Sequence, residues 1–238
     1  LGPHGTLAST VRFSAKTLTG LPSILAGVFA YASVVLVTGS YSAPAGAVAL
    51  AVLMVPTVVL TAMGMATEHV GLGATYSTTY HQPFHVARVF STLDHMTGGR
   101  AAWNVVTSVN DNEARNMGFD HGLEHDARYD QADEFMEVVH GHWDTWEDDA
   151  LVLDRPNGLF ARGDKVHRLD HRGEHYISRG PFTVPRTPQG HPVVIQAGQS
   201  GRGQRFAARW GEVIFASNLR LASAKAQYDK LKEEAANL

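Results

Sequence analysis

Residues 67–108 read TEHVGLGATYSTTYHQPFHVARVFSTLDHMTGGRAAWNVVTS, and this stretch decides the fold. Leu72 to Tyr80 is β-branched and aromatic, the composition of a strand. Pro83 suits the first turn of a helix, and Phe84, Val86, Ala87, Phe90 and Leu93 recur at helical spacing after it. Gly98-Gly99 ends that helix, and Ala101 to Val106 is a second short apolar run. A strand, a crossover helix and a second strand imply a parallel pair with a right-handed connection. Sheets of this kind bind ligands at the carboxyl ends of their strands. Those ends are polar here: Ser77, Thr78, Thr79 and Tyr80 on one, Asn104, Thr107 and Ser108 on the other.

The rhythm continues outward. Asn110 to Gly118 reads as a short helix, and Asp126 to Trp146 as a long one with Tyr129, Ala132, Phe135, Met136 and Val139 on one face. Residues 149–188 differ, being rich in Gly, Pro, Arg and His. Two alternating runs, Lys165–Leu169 and His175–Ser178, flank His171-Arg172-Gly173, the pattern of a hairpin-bearing insertion. PVVIQA (192–197) is a buried strand, Gln199–Trp210 a helix opening on glycines, and Glu212–Ser217 a strand. The last helix, Leu221–Asn237, is expected to pack on the outside of the sheet through Leu221, Ala224, Tyr228 and Leu231.

Composition bounds the class. A chain of 238 residues with 44% hydrophobic and 18% charged residues is globular and long enough for one large core. A net charge of -3 gives no general attraction to nucleic acid or anionic lipid. The absence of cysteine excludes disulfides, thiolate metal sites and cysteine nucleophiles. The thirteen histidines invite a metal reading. His140 and His142, two apart on a helix, do not share a face; His167, His171 and His175 lack carboxylates at ligand spacing; no HExxH occurs. No metal is expected.

Residues 24–66 stand apart. ILAGVFAYASVVLV and AVALAVLMVPTVVLTAMGMA carry no charge, and the second is long enough to cross a bilayer, so two membrane spans are one reading. Against it, basic residues do not flank the segments, and Pro44, Gly46 and Pro56 divide them into strand-sized and helix-sized pieces. No Asp or Glu precedes Glu68.

Several residues are candidates for chemistry. Gln199-Ser200-Gly201-Arg202-Gly203 follows a strand and opens a helix, where free N–H groups and the dipole suit a phosphate, with Arg202 or Arg205 adding charge. The same turn also reads as a glycine-rich connection capped by Ser200. Asn104, an amide among Trp103, Val105 and Val106, needs a partner when buried, and a neighbouring strand is one. Ser77 and Thr78 end their strand beside it or serve as turn residues. Tyr129 fits the apolar helix face. His81 and His85, in TYHQPFHVAR, are placed to donate to an oxyanion or move a proton, or are simply polar positions of the loop and helix.

The runs GGRAAWNVVTS, HDARYDQADEF and QAGQSGRGQRFA are long and unusual. They resemble the luciferase-like flavin monooxygenases, in the branch that holds nitrilotriacetate monooxygenase and dibenzothiophene-sulfone monooxygenase. The likeness runs through residues 67–108, 110–135 and 149–216. It implies a (β/α)8 TIM barrel as a single domain over residues 1–238, incomplete here because five or six strands are counted where a barrel closes at eight. It adds a buried strand near Val28–Val37 and a helix from about Pro56 to Thr67. It implies FMN, used as FMNH2, with O2 activated as a flavin C4a-peroxide to break a C–S or C–N bond. Ser77, Thr78 and Asn104 would face the ring, Ser200, Gly201 and Tyr129 would hold the phosphate, and His81 would be catalytic. The chain departs from the family in lacking the acidic residue at the end of the second strand.

No GxGxxG follows a strand, so a separate NAD(P)H:flavin reductase would deliver the flavin. The resemblance also implies a cytoplasmic homo-oligomer. The stretch GAVAL (46–50) and the Pro-led segment after it favour a sulfone substrate, whereas an aminopolycarboxylate would need a basic cluster such as Arg162, Lys165, Arg168 and Arg172. A non-catalytic flavin-binding protein is the alternative class, separated by substrate-dependent oxygen uptake.

Overall fold

The computed structural model describes residues 59–199 and 201–237. The chain divides into two compact units, residues 1–67 and 68–238. Of the first, the described part is helical over residues 59–66. The strand expected near Val28–Val37, the start of the helix from Pro56 and most of the charge-free stretch 24–66 lie outside the described residues. Among the described residues no helix is long and apolar enough to cross a membrane.

The second unit is built on four parallel strands in the order β1 (Leu72–Ser77), β2 (Ala101–Val106), β7 (Val193–Gln196) and β8 (Val213–Ile214). Helix α1 (Pro83–Thr97) crosses from β1 to β2. Pro83 starts it, and Gly98 ends it at φ 64, a left-handed conformation in which glycine has no Cβ to clash. The strand before it is shorter than the composition suggests: pairing stops at Ser77, and Thr78 to Tyr80 turn into the loop. Two helices follow β2, α2 (Asp111–Asn116) and α3 (His125–Trp143); α4 (Gly201–Trp210) joins β7 to β8, and α5 (Leu221–Ala236) follows.

Alternation along β2 sorts the side chains. Ala101, Trp103 and Val105 are buried, and Trp103 and Val105 share a core with Val86, Phe90, Phe135, Met136, Val139, Val194 and Phe206 from the strand β7 and the helices. Trp103 stacks on Phe90 at 5.4 Å and donates its indole N–H to the Tyr76 carbonyl, so its one polar atom is satisfied. Buried Asp94 ties the end of α1 to its surroundings, accepting from the Ala101 N–H and from the backbone and side chain of Gln189.

Between α3 and β7 lie two antiparallel hairpins, β3 (Leu151–Asp154) with β4 (Leu159–Ala161), and β5 (His171–Arg172) with β6 (Ile177–Ser178). The run Lys165–Leu169 is not the first strand of the second hairpin: residues 163–165 form a 3-10 turn, Val166 makes one bridge to Trp146, and the ladder begins at His171. Glu134 of α3 pins this hairpin, accepting from the His171 ring and from the N–H groups of His175 and Tyr176. Those bonds hold its carboxyl below the usual range against the opposing effect of burial.

The last helix departs from expectation. No residue of α5 is buried, and Leu221 and Tyr228 are exposed. Its apolar stripe faces a cavity of about 380 Å³ lined by Gly198, Ile214, Ala216, Ala224, Tyr228 and Leu231, among others, instead of packing on the sheet.

Candidate active site

The carboxyl ends of β1 and β2 lie side by side. Their register pairs Thr75 with Asn104 and Ser77 with Val106. Beyond the ladder, the Thr78 N–H donates to the Val106 carbonyl (2.9 Å), Thr79 Oγ1 donates to the Thr107 carbonyl (2.6 Å), and Ser108 Oγ donates to Ser77 Oγ (2.7 Å). Both Ser77 and Thr78 are buried. Strand β7 pairs with β2 in the same direction, Gln196 opposite Val105, so α4 begins at this same mouth.

Asn104 lies on the face opposite Trp103, beside Thr75 on one side and Ile195 on the other. Its Nδ2 donates to Thr75 Oγ1 at 3.0 Å. Its Oδ1 is shut off from solvent and accepts no hydrogen bond. A neighbouring strand therefore satisfies the donor half of the amide and leaves the acceptor half unmet. A buried acceptor without a donor costs on the order of 1–3 kcal/mol. Thr75 was not singled out from the sequence, although it sits two residues before Ser77 and so on the same strand face.

Tyr129 is buried at the start of α3. Its ring meets Phe206 of α4 at 5.6 Å and His125 at 5.2 Å, and the Arg202 guanidinium lies 5.7 Å above it. Tyr129 is thus brought to the first turn of α4, where Gly201 opens the helix. Ser200 lies outside the described residues. A Cβ built on Gly201 would meet nothing within 4 Å, so space remains beside its backbone.

Arg202 does not supply free charge to that turn. It forms ion pairs with Asp130 (2.9 Å) and Asp133 (2.5 Å) on α3 and is largely covered. Arg205 is exposed. The expectation of a phosphate-directed arginine at 202 fails because two carboxylates of a packed neighbouring helix claim it.

The His81 ring lies against that of Tyr76 at a tilt of 32°, ring centroids 4.4 Å apart. The Tyr76 ring in turn meets Phe90 edge-on, on the helix side of the sheet. His81 therefore sits at the rim of the mouth toward the helices, not on the face that carries Asn104. Burial, with a smaller contribution from His85, lowers its pKa and keeps the ring neutral at pH 7. His85 is exposed, 3.5 Å from Arg88.

Four further histidines are held by neighbouring side chains. His140 lies among Trp143, His191 and Trp210, and His142 bonds Ser178 Oγ at 2.7 Å between Phe84 and Phe182. His171 belongs to Glu134, and His167 to Glu147. No group of three or more metal-ligating side chains occurs among the described residues.

A parallel α/β sheet with a polar mouth built from three βα turns is the frame of a cofactor-binding barrel. The family model for luciferase-like monooxygenases matches residues 32–237, and the chain belongs to that family. It is 55% identical over 184 residues to dibenzothiophene-sulfone monooxygenase of Rhodococcus erythropolis, covering 77% of this chain and 41% of that protein. It is 49% identical over 180 residues to nitrilotriacetate monooxygenase component A of Aminobacter aminovorans, covering 76% and 40%. The crystal structure of a riboflavin lyase with modified FMN and substrate riboflavin superposes with TM-score 0.73 at 40% identity, covering 76% of this chain and 41% of that one. The chain spans about two-fifths of the length of the curated relatives it matches.

Proposed function

We propose that the protein is the oxygenase of a two-component monooxygenase that uses reduced FMN and O2 to cleave a C–S bond in a neutral sulfone-type substrate. The observation that carries this reading is the buried, unmet Oδ1 of Asn104, held by Thr75 at the mouth of the strands. A flat ring with N–H groups at its edge, laid on that face, supplies the missing donor. The residues present fit FMN: Ser77, Thr78 and Asn104 for the ring, and Gly201 and Tyr129 at the first turn of α4, with Ser200 beside them in sequence, for the phosphate.

Bound reduced FMN supplies two electrons, so that one atom of dioxygen enters the substrate and the other leaves as water. The chain orients and shields. Buried Ser77 and Thr78, locked to the end of β2, keep the mouth rigid and exclude water from it. His81, at the rim of the mouth, is the catalytic group of the reading: its ring, kept neutral by burial, would donate its N–H to negative charge developing on an oxygen that reaches the rim, without itself bringing a positive charge. A separate NAD(P)H:flavin reductase delivers the flavin to what we take to be a cytoplasmic homo-oligomer.

Two observations favour a sulfone over an aminopolycarboxylate. Arg162 and Lys165, half of the basic cluster that a polyacid would need, are already paired with Asp149. The segment after β2 instead carries exposed Val109, Met117, Phe119 and Leu123. Oxygen uptake with FMN, NADH and a flavin reductase tests the reading. Dibenzothiophene sulfone is expected to stimulate uptake and nitrilotriacetate is not. Stimulation by nitrilotriacetate alone reverses the substrate class. FMN binding with no stimulation by either substrate supports a non-catalytic flavin-binding protein.

A further inference from the structure

Helix α4 is held to α3 by two facing stripes of side chains. Arg202, Phe206, Arg209 and Trp210 recur on α4 at the spacing that places side chains on one helix face. Tyr129, Asp130, Asp133 and Glu137 do the same on α3. The contacts fall into two groups, one at each end of α4. At the last turn Arg209 pairs with Glu137 at 2.8 Å, and its guanidinium lies 4.6 Å above the Trp210 ring. At the first turn Arg202 Nη2 meets Asp130 at 2.9 Å and Asp133 at 2.5 Å, and the same guanidinium lies over Tyr129. Asp133 joins the two ends, since its other oxygen accepts the Trp210 indole N–H at 2.6 Å.

The two ends differ in their exposure to water. The side chains of Arg202 and Asp133 are 15% and 19% exposed, those of Arg209 and Glu137 42% and 44%. Solvent screens the second pair more, so the first holds its geometry better. That matters at the start of α4. Gly201, which opens the helix, has no side chain, and a Cβ built there would meet nothing within 4 Å. The turn is therefore anchored through the next residue. The Tyr129 ring depends on the same residue, because it lies against both Phe206 at 5.6 Å and the Arg202 guanidinium at 5.7 Å. Backbone N–H groups at a helix start bind an anion best when their positions are fixed before it arrives.

We propose that Arg202 is a positioning residue: through Asp130, Asp133 and the Tyr129 ring it fixes the first turn of α4, and it does not itself touch the ligand. The inference rests on the reading that this turn holds the FMN phosphate. It carries a sign that a direct role would reverse. With Arg202 as an anchor, neutralising Asp133 loosens the turn and weakens FMN. With Arg202 as a phosphate ligand kept in reserve, neutralising Asp133 frees its charge and strengthens FMN.

The test is titration of the full chain with FMN and with riboflavin, read by fluorescence quenching. Asp133→Asn is expected to weaken FMN about five- to tenfold and riboflavin by less than about twofold, and Arg202→Gln to do the same. Glu137→Gln breaks the exposed pair at the far end of the same interface and is expected to change FMN by less than about twofold. Asp130→Asn, at a largely exposed acid, keeps the sign test in hand if Asp133→Asn does not fold, with FMN about two- to threefold weaker. Tighter or unchanged FMN binding in Asp133→Asn overturns the proposal, as does tighter binding in Asp130→Asn. So does an equal loss for FMN and riboflavin, or a loss in Glu137→Gln as large as in Asp133→Asn, because either result is general loosening of the helix pair. A native chain that binds neither flavin, or binds both equally, overturns the phosphate reading and the positioning role with it. Native preference for FMN with any of the other adverse results overturns the positioning role alone.

Discussion

Trp103 and Asn104 are neighbours on one strand and meet opposite fates. Trp103 enters the core between the sheet and the helices, fully buried, with its indole N–H bonded. Asn104 turns to the other face, bonded through its nitrogen and unmet at its oxygen. On the helix face of the sheet, aromatic rings interlock from Tyr76 through Phe90 and Trp103 to Phe135 and Tyr176. The other face carries Thr75, Asn104 and Ile195 in register and leaves a polar atom without a partner. One face of β2 holds the fold together, and the other retains an unfilled requirement, which is where binding energy is available.

The largest effect that tests this contrast is Trp103→Ala, expected to destabilise the protein by about 3–5 kcal/mol because it removes a large ring from a packed core. Urea unfolding measures it. A loss below about 1 kcal/mol would mean that the helix-side core does not depend on this ring.

Acid should damage the same side next. Burial lowers the pKa of His140 to about 4, reinforced by His191 and opposed by Asp144 and Glu212, and burial alone lowers that of His142 to about 4. The unfolded chain binds these protons near pH 6.5, the fold only near pH 4. Stability is therefore unaffected above pH 6.5, falls as pH drops through the interval, and has lost its full increment below pH 4. Each ring accounts for up to about 3 kcal/mol. Melting curves from pH 7.5 to 4.5 measure the slope, and His142→Phe should flatten it. An unchanged slope in that variant would show that His142 is not buried neutral.

Asn104→Ala addresses the other face. It is expected to change stability by less than about 1 kcal/mol, since it removes an unmet acceptor along with one exposed hydrogen bond, yet to weaken FMN about tenfold. Fluorescence quenching and melting read the two halves separately. A large loss of stability with unchanged FMN affinity would make Asn104 a structural residue. The smallest change is Gly201→Ala. The added methyl meets nothing, so stability should move by no more than about 0.5 kcal/mol. FMN affinity should fall more than riboflavin affinity if the phosphate approaches that backbone.

Much of this was legible in the chain. Pro83 and Gly98 mark both ends of α1, and the runs that read as strands at 72–80, 101–106 and 192–197 hold strands that pair in parallel as the βα order requires, the first of them ending at Ser77. Local regularities of spacing and turn chemistry suffice for such elements because backbone geometry repeats over a few residues. Ser77, Thr78 and Asn104 stood out for the same reason, as polar groups where a strand pattern ends or is interrupted.

Pairing across long stretches was not legible. Arg202 read as a charge for the turn that opens α4, but it meets Asp130, 72 positions earlier. That the His81 ring lies against Tyr76 was not readable from the chain. The apolar stripe of α5 was assigned to the sheet, yet faces a cavity. The sequence by itself determined which segments are strands and helices, how they connect, and which polar residues gather where strands end. Only the tertiary structure decided which of those groups are already satisfied. Satisfaction of a charge or an amide depends on atoms within about 3 Å, and those atoms come from elements that spacing along the chain cannot bring together.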